Sequence, residues 1–260
     1  RDPNDVLKEM KFYIEKYQIK NFDFYDLTAI VRKDWIVRFC KLLIENNLNI
    51  TWQLPSGTRS EAIDSEVTAL LNQSGCRNLS YAPESGSERL LKDIKKRVKL
   101  PNISASMKDA VEVGLVTNAN MIIGLPGETW KDMWLSYKFG MKLAVSGLHS
   151  LAVMIFAPYP GSELFGQLTQ NGKIELDEKY FYSALLRGGS ARVSFNERFS
   201  PRVLVIMQIV FLSNFWGVQY LIRPLRLVKT LFGFLANKRE EETLMDNFLH
   251  TKNLSLVWSC

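Results

Sequence analysis

Five short apolar runs, each closed by a turn or an acidic residue and separated by stretches of helical periodicity, set the strongest limit on how this sequence can fold. The runs are 22–25, 49–54, 78–82, 116–123 and 150–156. Between them the apolar residues recur every three or four positions: Val6, Leu7, Met10, Ile14 and Tyr17; Ile36, Phe39, Cys40, Leu43 and Ile44; Val67, Leu70 and Leu71. Further helical stretches cover 103–113, stopped by Gly114, and 130–145, stopped by Gly147. Strands that alternate with helices join in parallel through right-handed crossovers, so the expected object is α/β, most of a parallel barrel. In such barrels the loops leaving the C-terminal strand ends carry the chemistry.

Composition excludes several classes. With 47% apolar and 23% charged residues in 260, the chain can bury a sizeable core and is neither disordered nor a disulfide-stapled miniprotein. Its net charge of +6 is compatible with an anionic ligand or surface but falls short of a nucleic-acid-binding signature. The three cysteines, Cys40, Cys76 and Cys260, lack metal-site spacing. Their odd number, with no N-terminal secretory pattern, points to a reducing cytoplasmic setting. The first residue is Arg1 rather than Met, from which a natural N-terminus further upstream is expected.

The strand ends read Tyr25-Asp26, Pro55-Ser56-Gly57-Thr58-Arg59, Pro83-Glu84-Ser85-Gly86-Ser87, and Gly124-Leu125-Pro126-Gly127-Glu128-Thr129. Glycines let backbone amides approach a ligand, while carboxylates and hydroxyls bind amines and ribose hydroxyls. Taken singly, each segment reads equally well as a tight turn or a helix start. A phosphate-binding loop is excluded because Gly124–Thr129 lacks the Gly-Lys-Ser/Thr ending. A hydrolase nucleophile lacks a base, since His149 and His250 lie away from Ser56, Ser85 and Ser87; His149 reads as a packing or surface residue.

The order of these segments, together with Trp52, Gly75-Cys76, Lys95-Lys96, Met121–Thr129 and Pro158-Tyr159-Pro160-Gly161-Ser162, resembles the radical S-adenosylmethionine (radical SAM) superfamily. It is most similar to the branch that often carries an upstream cobalamin-binding domain. The resemblance implies a partial (β/α)6 TIM-like barrel with its first strand missing, over residues 1–166, and a C-terminal helical extension over 167–260. It implies a [4Fe–4S] cluster held by a C-x-x-x-C-x-x-C loop expected upstream of Arg1, so no metal ligand is assigned here, and this chain by itself is expected to be inactive. S-adenosylmethionine would be cleaved by one electron to a 5′-deoxyadenosyl radical, or the chemistry diverted to cobalamin-dependent methyl transfer. The cofactor-binding residues it implies are Tyr25 and Asp26 at the methionine amine, Arg59 as a carboxylate partner, Glu84, Ser85 and Gly86 near the ribose and methionine arm, and Gly124 and Gly127 at the adenine. Asn120 stands where the family has the first glycine of its adenine motif. No catalytic residue is assigned. The implied partners are a small-molecule or lipid-like substrate and a reductant such as flavodoxin or ferredoxin.

The alternative is a non-catalytic barrel serving as a membrane-associated binding or scaffold protein. Residues 203–222 carry no charged side chain between Arg202 and Arg223, and about 20 such residues can cross a bilayer. Gln208, Ser213, Asn214, Gly217 and Gln219 dilute the stretch, and Pro224 interrupts it. The following segment, 223–237, carries Arg223, Arg226 and Lys229 among apolar residues, a pattern suited to peripheral attachment at the inner face of a membrane. Both stretches equally suit helices packed on the barrel.

Overall fold

In the computed structural model, residues 1–25, 30, 32–58, 62–185 and 193–235 are described. The strands are β1 (Asn21–Asp23), β2 (Thr51–Thr58), β3 (Cys76–Glu84), β4 (Val116–Ile123) and β5 (Ser150–Ile155). They form one sheet in the order β1-β2-β3-β4-β5, parallel at every pairing, as the strand–helix rhythm requires. The helices between them are α1 (Pro3–Tyr17), α2 (Lys33–Glu45), α3 (Ser65–Gln73), α4 (Glu88–Asp93), α5 (Leu100–Glu112) and α6 (Trp130–Ser146). Beyond β5 come α7 (Glu163–Gln170), α8 (Glu178–Leu185), α9 (Pro201–Ile222) and α10 (Pro224–Leu235).

Strand bounds depart from the sequence expectation most at β1, β2 and β3. β1 ends at Asp23 rather than near Asp26. β2 does not stop at Pro55 but continues to Thr58, which pairs with Tyr81 after a register slip; the slip accommodates the proline, which lacks an amide hydrogen for the ladder. β3 begins at Cys76 and runs on to Glu84, so the acidic residue expected in a loop belongs to the strand end.

The two sheet faces differ in chemistry. Trp52 of β2 packs edge-on against Phe39 of α2 and donates its indole N–H to the Ser74 carbonyl at 3.0 Å. Leu79 and Tyr81 of β3 are buried on the same side, with the Tyr81 hydroxyl 3.0 Å from Ser106 of α5. Along β4, Thr117, Ala119, Met121 and Ile123 are buried while the alternate residues are half-exposed. The opposite, concave face is largely polar: Gln53 donates to Asp23 at 2.8 Å and Asn118 to Asn78 at 2.7 Å. The Asn118 side-chain oxygen is itself buried without a partner. These polar side-chain pairs satisfy one another across neighbouring strands.

Helix α9 is, among the described residues, one long and apolar enough to cross a membrane by length and composition alone. Its placement is against protein. Leu204, Gln208, Phe211, Phe215 and Gln219 form its buried stripe, facing α6 and β5. The two glutamines that diluted its hydropathy are therefore inside: Gln208 donates to the Val153 carbonyl at 2.5 Å, and Gln219 to the carbonyls of Ala144 and Leu148. Gly140 of α6 admits the Phe211 ring, because a methyl group there would collide with it. Two of the basic residues that follow have partners within the protein. Arg223 donates to the carbonyls of Ala144 and Val145 in the last turn of α6, and Arg226 to those of Gly147 and Leu148 just beyond it.

Arg226 also contacts the Gln219 side-chain oxygen at 2.8 Å and His149 Nε2 at 3.1 Å, while His149 Nδ1 lies 3.2 Å from Thr117. Burial, with Arg226 and Arg223 adding repulsion, pushes His149 down to about 3, so the ring is neutral at physiological pH and serves as packing. Replacing Arg226 by Met strands several buried acceptors at once and should lower the unfolding free energy by about 2 kcal/mol. Lys229→Met, at an exposed position, should change it by less than about 0.5 kcal/mol. Urea titration of both variants checks the contrast.

Candidate functional site

The C-terminal end of β3 organises the site. Pairing with β4 slips between Tyr81 and Glu84, and Glu84 takes a left-handed backbone conformation with φ of 62°. A glutamate in that region is uncommon and costs of order 1 kcal/mol, so neighbouring contacts must hold it. One such contact is Lys96, whose ammonium lies 2.9 Å from the carboxylate; the two side chains are 33% and 19% exposed. The pair is a half-sheltered dipole at the rim of the polar concave face.

The residues that follow are fastened to α6. The Ser85 hydroxyl is 3.0 Å from that of Ser136, and the Gly86 amide donates to Ser136 at 3.0 Å. Gly86 lacks a side chain because an added Cβ would sit inside the backbone of Leu135 and Ser136. The Ser87 hydroxyl donates to Asp132 at 2.5 Å, and Arg89 bonds both Asp132 and the Gly127 carbonyl. Burial alone would raise the Asp132 carboxyl, but Arg89 and the hydroxyls of Ser87 and Thr129 hold it well below the usual range. Asp132 also closes the capping box that starts α6 at Thr129.

The β4 loop is tied to itself and to the tail. Glu128 is fully buried, and its Oε2 accepts from the amides of Gly124 at 2.5 Å and Leu125 at 3.2 Å. Oε1 has no partner. Burial pushes Glu128 up to about 7 despite those two amides. Asn196 donates to the carbonyls of Leu125 and Glu128 at 2.6 and 3.1 Å, and its own oxygen accepts from the amides of Arg198 and Phe199. Gly124 has φ of 80°, and a side chain there would meet Leu204 of α9.

The expected site residues therefore fall into three groups. Glu84, Tyr25 and Gly127 stand at strand ends: Glu84 is half-buried and paired with Lys96, Tyr25 is 75% exposed, and Gly127, at φ 71°, has nothing within 4 Å of where a Cβ would lie. Ser85, Gly86 and Gly124 have local structural partners of the kind just described, which account for their identity. Asp26 and Arg59 lie outside the described residues. Sequence reading missed Asp132, Ser136 and Asn196, which brace the loops. The Thr129-x-x-Asp132 spacing carried a capping signal for the first; Asn196 lies some 70 residues from its partners and carried none.

Among the described residues no three histidine, cysteine, aspartate or glutamate side chains could hold a metal ion. Cys40 and Cys76 are buried, and desolvation pushes Cys40 up to about 11 and Cys76 higher still. Thiols held in that state are the reverse of the thiolates iron requires, so these residues do not fit an iron–sulfur cluster. The Glu84–Lys96 pair presents one anion and one cation at the C-terminal end of β3.

A parallel sheet flanked by helices, with its chemistry-bearing residues at the C-terminal strand ends, defines the β/α-barrel class of fold. Residues 1–140 match the Radical SAM superfamily, and the chain belongs to that superfamily. It is 27% identical over 195 residues to cytidylyl-2-hydroxyethylphosphonate methyltransferase of Streptomyces wedmorensis, a match covering 72% of this chain and 36% of that protein. It is 22% identical over 180 residues to anaerobic magnesium-protoporphyrin IX monomethyl ester cyclase of Rubrivivax gelatinosus, covering 69% and 32%. The chain thus spans about a third of the length of these curated relatives. Among solved structures it shares the fold of the radical S-adenosylmethionine methyltransferase TsrM of Kitasatospora setae, solved with cobalamin and a [4Fe–4S] cluster bound. The TM-score is 0.56 at 14% identity, over 66% of this chain and 34% of that one.

Two outcomes follow. Glu128 is neutral more readily folded than unfolded, so its contribution to stability is fully present below about pH 4.5 and is lost as pH rises through about 7. Between those values the wild type should lose ~3 kcal/mol relative to Glu128→Gln, read from urea unfolding at several pH values; parallel curves would refute the assignment. Secondly, this 260-residue chain, given iron and sulfide anaerobically, should take up no stoichiometric cluster by absorbance and iron analysis.

Proposed function

We propose that this chain is the S-adenosylmethionine-holding barrel of a radical SAM enzyme acting on a small molecule, with methyl transfer the favoured reaction. The observation that carries the reading is the Glu84–Lys96 pair, held at a strained strand end on the rim of a polar inner wall. Glu84 would accept from ribose hydroxyls or the methionine ammonium, and Lys96 would bind the methionine carboxylate. Asp26, Arg59 and Tyr25 are proposed for the methionine arm, and the open Gly127 for the adenine side. Ser85, Gly86 and Gly124 are read as positioning elements rather than direct contacts.

S-adenosylmethionine and a [4Fe–4S] cluster, when bound, supply one-electron cleavage of the sulfonium. The cluster's thiolates are assigned to residues beyond those described, and no step is derived through it. What this chain's own groups do is bind, orient and neutralise: the pair at the rim fixes a zwitterion by two opposite charges, and the fastened loops keep that geometry. Residues 1–166 are read as the catalytic barrel and 167–260 as an extension bracing it. We read the protein as cytoplasmic, with α9 seated on the sheet, and its reductant as a flavodoxin or ferredoxin. Methyl transfer is favoured because the Streptomyces relative is a methyltransferase and TsrM, which shares the fold, is another; the cyclase keeps ring formation as the second reading.

The test uses the complete reading frame containing these residues, purified and reconstituted anaerobically, with dithionite and with or without hydroxocobalamin. S-adenosylhomocysteine should accumulate in a cobalamin-dependent manner. 5′-Deoxyadenosine alone would select the second reading, and neither product would overturn the assignment. Glu84→Gln should raise KM for S-adenosylmethionine about tenfold, about 1.4 kcal/mol, with cluster absorbance unchanged.

A further inference from the structure

The turn that ends β4 is bonded through both its amides and its carbonyls. Pro126 in its second position and Gly127 in its third, at φ 71°, follow the type II pattern, and the Glu128 amide closes it on the Leu125 carbonyl at 3.0 Å. The amides of Gly124 and Leu125 meet the Glu128 carboxylate, the Gly127 carbonyl takes Arg89, and the Thr129 amide takes Asp132. These partners all belong to the barrel. The carbonyls of Leu125 and Glu128 also receive the side chain of Asn196, which lies beyond β5 in the segment leading into α9.

Asn196 is buried, and its amide is bonded to capacity. The two hydrogens on Nδ2 go to Leu125 at 2.6 Å and Glu128 at 3.1 Å; Oδ1 accepts from the amides of Arg198 at 2.8 Å and Phe199 at 3.1 Å. One side chain therefore joins the turn to the first residues of the tail. An aspartate there would keep the tail amides but set an oxygen against two carbonyl oxygens, and an alanine would strand all four groups in a buried place. The residues that follow add packing along the same seam. The Phe199 ring stands edge-on to Trp130 with centroids 4.8 Å apart, Ser200 caps α9, and Leu204 lies where a side chain on Gly124 would have to go. The turn and the start of the tail are one bonded and packed unit.

We infer that Asn196 is a positioning residue for nucleoside binding: it fixes the backbone of the Leu125–Glu128 turn from the tail side, so that affinity for the nucleoside depends on the tail being docked. The inference rests on the proposed reading of Gly127 and its turn as the adenine side. By linkage the dependence is reciprocal, and a nucleoside seated on the turn must tighten the segment 193–204. Gln219, which bonds the carbonyls of Ala144 and Leu148 near the other end of α9, serves as the comparison: its loss weakens the tail without touching the turn.

The test uses the complete reading frame, reconstituted anaerobically, and combines equilibrium dialysis against S-adenosylhomocysteine, steady-state kinetics and amide hydrogen exchange. Asn196→Asp and Asn196→Ala should each raise the dissociation constant for S-adenosylhomocysteine and KM for S-adenosylmethionine about tenfold, with kcat changed by less than about twofold. Both variants should speed exchange in 124–129. Gln219→Leu should lower Tm while moving neither constant by more than about twofold. In the wild type, with no substitution at all, S-adenosylhomocysteine should slow exchange in 193–204 as well as in 124–129. Unchanged affinity in Asn196→Asp, an equal loss of affinity in Gln219→Leu, or a wild-type tail whose exchange ignores the ligand would each overturn the inference. A wild type that turns over S-adenosylmethionine with an indifferent tail loses this inference alone. A wild type that binds no nucleoside loses the proposed function, and this inference with it.

Discussion

The close approach of the β3 loop to helix α6 is the contact on which the rest of the site depends. It exists because Gly86 carries no side chain: with a Cβ there the loop would have to lift off the Leu135–Ser136 backbone. Once it is seated, Ser136 serves both the Ser85 hydroxyl and the Gly86 amide, and Asp132 serves Ser87, Arg89 and Thr129. Buried networks of this kind are worth having only when complete, and this one is complete on the β3 side. Its effect is transmitted one residue back along the chain, where Glu84 is kept in a conformation it would not choose. The same helix fixes the β4 loop through Thr129 and receives α9 at Gly140. A single rigid element thus sets the relative positions of two strand ends and the tail.

Much of this was legible in the sequence. Periodicity located the five strands and the helices between them because each strand has one face packed against helices, and the alternation survives as apolar spacing. It fixed strand ends less well. Pro55 reads as a terminator, yet β2 passes through it by slipping register, an accommodation decided by the neighbouring strand rather than by local residues. The strand-end residues were found by their types, but type does not separate a glycine that admits a ligand from one that admits a helix. Gly86 and Gly124 are of the second kind, Gly127 is open, and only the position of α6 and α9 distinguishes them. Asn196 could not have been found at all, because its partners are distant in the chain.

The tail shows what hydropathy averages leave out. A window average treats Gln208 and Gln219 as blemishes in a membrane-length helix, whereas both lie on its buried stripe and each bonds a main-chain carbonyl. Meanwhile Ile206, Ile209 and Leu221 are exposed, so the helix is apolar outside as well as in. Arg223 and Arg226 complete the reversal: charges that resemble headgroup anchors in sequence are satisfied by the carbonyls ending α6. Net charge and composition describe the segment correctly and still do not say which neighbour each group will find.

Gln208 has one more consequence. Among the described residues β5 is an outer strand of the sheet, and an outer strand presents backbone groups that can recruit another chain's strand. By donating its side-chain amide to Val153 of that strand, with α9 laid over it, Gln208 occupies an acceptor that would otherwise invite such pairing. Barrels usually remove the hazard by closing on themselves. Among the described residues a helix and one amide blunt the β5 margin, so the tail supplies protection against edge-to-edge pairing on that side.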